Sequence, residues 1–328
     1  MQFDRLIRRE FITLLGGAAA AWPLAASAQE PARIYRLGAI IPIGRQSPAI
    51  AAFFDEMRLF GFIEGQNLTV LPNGFGVRND ELDERAEALV KATPDVIISG
   101  PDNYTHVLQQ RTRTIPLVAM TEDMLRAGLV NSLARPGGNI TGISLLSPKL
   151  DGKRQEILIE AAPGARKMAA LADSTVTPQR HLEGLQDAAR RRGVELSVFG
   201  VAKREEVVPA IEAAKTARVQ ALNLLASPLF TVDSGAFIER IVALRLPAVH
   251  QWPEVAEEGG LLGYGPRLAQ TFRQRARLVA RILRGAKPAE IPVEQPTHFE
   301  LVINLQTAHA IGHEVPAGLV LRADKVIE

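Results

Sequence analysis

Few of the acids, bases and nucleophiles in this 328-residue chain stand where chemistry would need them. Glu122 and Asp123 follow the apolar run Leu117 to Met120, and Asp173 follows Met168 to Ala172. Carboxylates at the ends of buried strands can act as general acid and base. They can equally hold a ligand's amine, or accept the backbone N–H groups of the next helix, a common duty of Asp and Ser at such places. His309 and His313 stand four apart on one face of a predicted helix, with His298 upstream, a spacing that can chelate a metal. No acid completes the usual zinc-peptidase pattern, so these histidines read as exposed or capping groups.

Other catalytic apparatus is missing from the sequence. There is no G-x-S-x-G elbow, and Gly38, Gly44 and Gly137-Gly138 lack the spacing of phosphate-cradling loops. The chain has no cysteine, which removes disulfides, thiolate zinc sites, a Cys nucleophile and a lipid-bearing cysteine. A non-enzyme without a cofactor is the expectation. Lys plus Arg number 38 against 36 for Asp plus Glu, a net charge of +2 that offers nucleic acid no footprint. The runs Arg190-Arg191-Arg192 and Arg273 to Arg284 fall in helical patterns and read as solvated faces.

The elements that must position these groups alternate along the chain. Predicted strands are Ile34 to Ile41, Leu68 to Leu71, Val96 to Ser99, Leu117 to Met120 and Ile140 to Ser144. A second set is Met168 to Ala172, Leu196 to Phe199, Ala221 to Leu225, Ala248 to His250 and Leu261 to Gly263. Amphipathic segments such as Pro48 to Phe60, Asn79 to Ala92, Pro178 to Arg192 and Asp233 to Leu244 lie between them, the α/β pattern of parallel strands joined by crossover helices. The sets also resemble each other. Glu81 to Lys91 leads to Val96-Ile97-Ile98-Ser99 and then Ile115-Pro116, as Glu205 to Lys215 leads to Leu222-Asn223-Leu224-Leu225 and then Leu246-Pro247. One lobe built twice would present the carboxyl ends of both sheets to a common cleft.

Residues 1–28 read as an export signal. Arg8-Arg9-Glu10-Phe11 precedes an apolar run to Ala26, and Ala26-Ser27-Ala28 supplies small residues for cleavage before Gln29, a pattern of the twin-arginine type with an ordinary secretory signal as the alternative. Gly16, Gly17 and Pro23 interrupt the run, and no later segment approaches the roughly 18 to 20 apolar residues of a membrane span. A soluble periplasmic chain without stable membrane insertion is expected, and the residues after the leader suffice for two domains.

The block Ala134 to Gly142 (ARPGGNITG), itself a turn cluster needing positive φ at glycine, is one of several with a familiar look. With Gly259 to Pro266 (GGLLGYGP), Ile282 to Leu305 (ILRGAKPAEIPVEQPTHFELVINL), Thr307-Ala308 and Leu321-Arg322-Ala323-Asp324, it resembles the ABC transporter substrate-binding proteins of the TrpX-like family. The resemblance covers nearly the whole chain after the leader. It implies a type I periplasmic-binding-protein fold, two Rossmann-like lobes with parallel sheets joined by a three-segment hinge. Residues 32–146 plus about 267–290 would form one lobe, and 147–266 plus about 291–328 the other. Crossovers would fall near Ser144 to Lys149, Gly265 to Arg267 and Pro292 to Pro296. The implied cargo is a small-molecule solute and the implied partners are an ABC permease and its ATPase; a monomer suits hinge closure. Presenting the bound solute to a signalling receptor is the alternative on the same fold.

In such a cleft, polar groups at strand ends are the expected ligand contacts. These are Arg45 and Gln46 after the first strand, Ser99 and Asn103 at the third, and Thr121 and Asp123 at the fourth. Opposite them stand Asp173, Ser174, Ser227, His250 and Tyr264. Hydroxyls and helix N-terminal amides suit a carboxylate, Arg45 could pair with it bidentately, and Asp123 or Asp173 could hold an amine. An amino acid or small organic acid is therefore the first ligand class. Trp252 is the one tryptophan after the leader, so the stacking common in sugar pockets is thin; Tyr104, Phe230 and Trp252 fit apolar ligand contacts or the core equally. The loop Ile43 to Pro48 departs from the small, Ser-rich version of the family.

Overall fold

A computed structural model describes residues 33–231 and 234–328, so the export signal expected over residues 1–28 lies outside the described residues. The chain builds two sheets. The first contains β1 (Tyr35–Ile40), β2 (Leu68–Val70), β3 (Val96–Ser99), β4 (Leu117–Thr121) and β5 (Ile140–Ser144), all parallel, in the order β2-β1-β3-β4-β5. Helices α1 (Pro48–Leu59), α2 (Leu82–Lys91) and α3 (Asp102–Arg111) connect these strands. The second sheet contains β6 (Lys167–Asp173), β7 (Glu195–Val201), β8 (Ala221–Leu224), β9 (Ala248–His250) and β10 (Leu262–Gly265), again parallel, ordered β7-β6-β8-β9-β10. Its helices are α4 (Ser147–Ala161), α5 (Gln179–Arg191), α6 (Val207–Thr216), α7 (Gly235–Ala243) and α8 (Pro253–Glu257). The two sheets share one strand order, and this is the duplication that the sequence carries.

Two strands extend the second sheet beyond the sequence reading. After α9 (Leu268–Leu283), β11 (Glu300–Asn304) lies antiparallel to β10. Past α10 (Leu305–Ile311) and α11 (Ala317–Val320), β12 (Lys325–Ile327) pairs with β11. β12 lies at the sheet edge and pairs with β11, so its strand character depends on a partner already placed.

Local chemistry explains the elements. Strands such as Val96-Ile97-Ile98-Ser99 are buried along their whole length because helices cover both faces of the sheet, so they read as continuous apolar runs. Helix α1 begins at Ser47, whose Oγ accepts the Ala49 N–H at 3.3 Å, with Pro48 in the first turn. Its Ile50, Phe53 and Met57 form one buried stripe, against which α9 packs.

Three stretches of chain pass between the lobes. The first leaves β5 for α4, and the second leaves β10 through Pro266 and Arg267 for α9, which also lies against β3, β4 and β5. Before the third crossing, Glu294 runs beside β5, donating to the Gly142 carbonyl (2.8 Å) and accepting from the Ser144 N–H (2.9 Å). Gly142 has φ +147, and a Cβ there would lie 1.9 Å from the Ala119 carbonyl oxygen, so only glycine lets β4 and β5 close at this point. Arg267 ties the second crossing to the second sheet through Glu257 (2.8 Å) and Glu300 (2.7 Å). One buried apolar cluster contains residues of both lobes, from Phe53 and Phe272 to Trp252 and Phe230.

Candidate functional site

The carboxyl ends of both sheets meet at a narrow pocket that is partly open to solvent. From the first lobe come Ile41, Pro42 and Ile43 beyond β1, Gly100 and Pro101 beyond β3, and Met120 and Glu122 at the end of β4. The second lobe contributes Pro228 and Thr231 beyond β8, and Gln251 and Trp252 beyond β9. Leu145 at the first crossing and Leu268, Phe272 and Arg275 on α9 complete the lining. The walls are mostly apolar. Trp252 is held by its indole N–H, which donates to Thr231 Oγ1 at 3.1 Å.

Arg275 is wholly buried on the face of α9 that also buries Phe272, Ala276 and Val279. Its Nε and Nη2 donate to the Val118 carbonyl (3.2 and 2.9 Å) and Nη2 also to the Ser99 carbonyl, while Nη1 has no hydrogen-bond partner. Burial alone pulls the guanidinium down to about 9. The Arg273 to Arg284 run was expected to form a solvated face. Arg275 corrects that reading, because its position in the helical period falls on the apolar stripe.

Glu122 is pushed up to about 8, first by burial and then by the neighbouring Asp102 and Asp151, partly offset by Arg154 and a hydrogen bond with the Gln251 side chain. That hydrogen bond spans the two lobes. Asp102, at the start of α3, takes a backbone hydrogen bond from Glu122; burial raises its carboxyl as well, and its Oδ1 is buried without a partner. Behind them lies a hydrogen-bonded group on α4, in which Arg154 Nε stays without a partner. Asp151 accepts from Arg154, from the Ala226 N–H (3.2 Å) and meets His181 Nε2 (2.9 Å), and Arg154 Nη1 donates to the Tyr264 carbonyl (3.2 Å). Arg154 and His181 hold the Asp151 carboxyl below its usual range despite its burial.

None of the contact residues read from the sequence is in the lining of this pocket, although several stand one position from residues that are. Arg45 is ion-paired with Glu64 and lies 3.7 Å over the Phe54 ring, with Gln46 exposed beside it. Ser99 is buried and bonded to Thr105 Oγ1 (2.8 Å), and Asn103 donates to Asn79 (3.1 Å). Thr121 is buried with its hydroxyl unpartnered, and Asp123 accepts the Arg126 N–H (3.0 Å) as a turn-forming carboxylate. Asp173 and Ser227 do come together, at 2.6 Å, but Asp173 also accepts from the Thr175 N–H and hydroxyl, and Ser227 caps the turn at Leu229. Ser174 donates to the Val201 carbonyl. His250 is buried against Gly260 with both ring nitrogens unpartnered, and burial pushes it down to about 4. Tyr264 stacks on Phe299 and lines a separate surface groove with Lys153, Arg192 and Arg322.

Of the aromatic candidates, Trp252 lines the pocket, whereas the Tyr104 hydroxyl donates to the Val77 carbonyl in the core and Phe230 is buried there. The histidine pair does not share a helix face: Gly312, at φ +67, ends α10 before His313, which contacts the Ala161 carbonyl instead. Among the described residues no group of His, Cys, Asp and Glu is placed to hold a metal, and no helix is long and apolar enough to cross a membrane.

Residues 62–327 match the family model described as ABC transporter substrate binding protein. A tyrosine-binding protein of Clostridioides difficile (strain R20291) is 24% identical over 267 residues, covering 79% of this chain and 75% of that relative. Among solved structures, a conserved domain protein from Vibrio cholerae superposes with a TM-score of 0.79 at 25% identity, over 90% of this chain and all of that one. An ABC domain in complex with L-Trp from Streptococcus pneumonia gives a TM-score of 0.77 at 20% identity with the same coverage. Sugar-transporter and LacI-type regulator structures share the fold at lower similarity.

Proposed function

The chain belongs to the ABC transporter substrate binding protein family, and from that premise we propose that it captures an amino acid with a large apolar side chain in the interlobe pocket and delivers it to the permease of an ABC importer. It does so as an exported, soluble periplasmic receptor and not as an enzyme. The observation that carries this reading is the pocket's composition: apolar walls of Trp252, Phe272, Met120 and Ile43 around one acidic group, Glu122, and one basic group, Arg275. A zwitterion with an apolar body answers all three features. Its carboxylate suits the unpartnered Nη1 of Arg275, its ammonium suits Glu122, and its side chain suits the walls. Charge pairs made in a water-poor pocket are strong, so they define orientation while the walls supply affinity. The named ligands of two relatives, tyrosine and L-Trp, are of this class.

A thermal-shift screen tests the proposal. L-tryptophan, L-tyrosine or L-phenylalanine at a hundred times its Kd should stabilise the protein by about 2.7 kcal/mol. A response confined to sugars, polyols or purines would sink it.

A further inference from the structure

Each of the two sheets ends in two edge strands, and an edge strand offers unpaired N–H and C=O groups to any further strand. Three of these four edges are short or covered: β2 and β12 are three residues long, and Glu294 lies along β5. The fourth, β7, runs for seven residues in unbroken register with β6 and holds no proline, lysine or bulge. Helices α5 and α6 lie on its two faces, yet Ser197, Val198 and Phe199 stay half-buried and Gly200 is exposed. Among the described residues no strand or bridge pairs with its outer side.

The alternation of a parallel ladder decides which groups face outward. The Glu195 N–H donates to the Arg166 carbonyl (2.8 Å) and the Val201 carbonyl accepts the Ser174 N–H (2.8 Å), so the backbone groups of odd-numbered residues face β6. Those of Leu196, Val198 and Gly200 therefore turn outward. The Leu196 carbonyl already accepts from Gln186 Nε2 (3.0 Å), and at the far end the Ala202 N–H donates to Glu206 (2.7 Å). Val198 and Gly200 remain. Gly200 is also a glycine that its own fold does not demand, since its φ is not positive and a Cβ there would meet only Ser174, at 3.9 Å. Glycine inside a strand weakens it and often marks a place where another backbone comes close.

We propose that β7 is a self-association edge, on which a second copy of this chain pairs antiparallel about a two-fold axis at Phe199 and joins the two second-lobe sheets into one. An antiparallel edge is self-complementary, so one patch serves both copies. In this register Val198 exchanges both backbone hydrogen bonds with the partner's Gly200, and Phe199 lies opposite the partner's Phe199. Glu195 falls opposite the partner's Lys203, where the chain is still extended at φ −137, ψ 157, and the same pair recurs across the axis. Both side chains are exposed, and within its own chain Glu195 has only Lys167, at 3.9 Å. An axis at Val198 or Ser197 would call on the occupied Leu196 carbonyl and set Glu195 against Val201 or Phe199, losing the charge pair. Charge complementarity thus selects both the register and the occupant. The pocket is lined from beyond β8 and β9 and the second crossing leaves β10, so pairing at β7 leaves ligand entry and hinge closure free.

Sedimentation equilibrium of the purified protein, from about 1 to 500 μM, tests the proposal, with a dimer Kd on the order of 10 to 100 μM expected for an interface this small. Lys203→Glu sets like charges opposite each other on both sides of the axis and should weaken the dimer by about tenfold. Adding Glu195→Lys reverses the pair and should restore the Kd to within about threefold of the unaltered protein. Hydrogen exchange should show the Val198 and Gly200 amides gaining protection as concentration rises through the Kd, with Phe199 unchanged. A monomer throughout that range overturns the proposal. So does a dimer indifferent to Lys203→Glu, one that the reversed pair does not recover, or one whose new protection lies outside β7. Both substituted side chains are exposed, so neither change disturbs the fold, and amide exchange on the unaltered protein decides without them.

Discussion

Among the described residues each lobe buries one arginine completely, and the surroundings of the two differ. Arg154 in the second lobe meets Asp151 and the Tyr264 carbonyl, and Asp151 in turn is satisfied by His181 and the Ala226 N–H. Arg275, packed on the first lobe, has the backbone carbonyls of Ser99 and Val118 and the Phe272 ring beside it, and each arginine keeps one buried nitrogen without a partner, Nη1 of Arg275 and Nε of Arg154. A buried charge with its counter-ion beside it is part of the scaffold; a buried charge without one is a candidate for binding a counter-ion from solution. The carboxylates follow the same division, with Asp151 and Asp173 bonded on all sides and Glu122 and Asp102 crowded together at the pocket.

The contrast makes specific predictions. Asp151→Ala should be the most damaging change, since it strands Arg154 in the interior; equilibrium urea unfolding should register a loss of about 4 kcal/mol. His250 shows a third way to bury a base, as the neutral form. Its folded value of about 4 lies below the ordinary 6.5, so the unfolded chain takes up a proton first as pH falls. Stability from this residue is therefore complete above about pH 6.5 and is lost toward pH 4, by about 3 kcal/mol. Comparing unfolding at pH 7 and pH 4.5 should show this acid sensitivity diminished in His250→Leu.

Arg275→Met should act mainly on binding, because no protein carboxylate is orphaned. Its amino-acid Kd should rise by about 100-fold, equivalent to 2 to 3 kcal/mol, with a smaller change in stability. Equal losses of binding and stability would place Arg275 with Arg154 as scaffold. Trp252→Phe keeps an aromatic wall but removes the indole N–H donated to Thr231 and should cost about 1 kcal/mol of binding, read as a fivefold rise in Kd.

Much of the fold was legible. Runs such as Val96 to Ser99 and Ala221 to Leu224 announce parallel strands because both faces are covered, and the repeat of strand, helix and Ile-Pro or Leu-Pro announces the second sheet. The strand β12 was not, because Lys325-Val326-Ile327 becomes a strand only by pairing with β11. At the pocket, several strand-end residues read from the sequence stand one position from residues of its lining. Successive side chains point to opposite sides as a strand runs out, so Glu122 and Gln251 reach the pocket where Thr121 and His250 turn into the protein. Arg275 had a readable signal, a charge on the apolar stripe of α9, that the surrounding arginines masked.

Residue order alone thus specified the α/β alternation, the doubled lobe and the family blocks, since apolar periodicity and turn chemistry act over a few neighbouring residues. Packing specified which polar groups are spent and which remain available. Whether a carboxylate or guanidinium is compensated depends on partners far away in the chain, as Glu122 depends on Asp102, Asp151 and Gln251, and those distances exist only once both lobes are folded around the pocket.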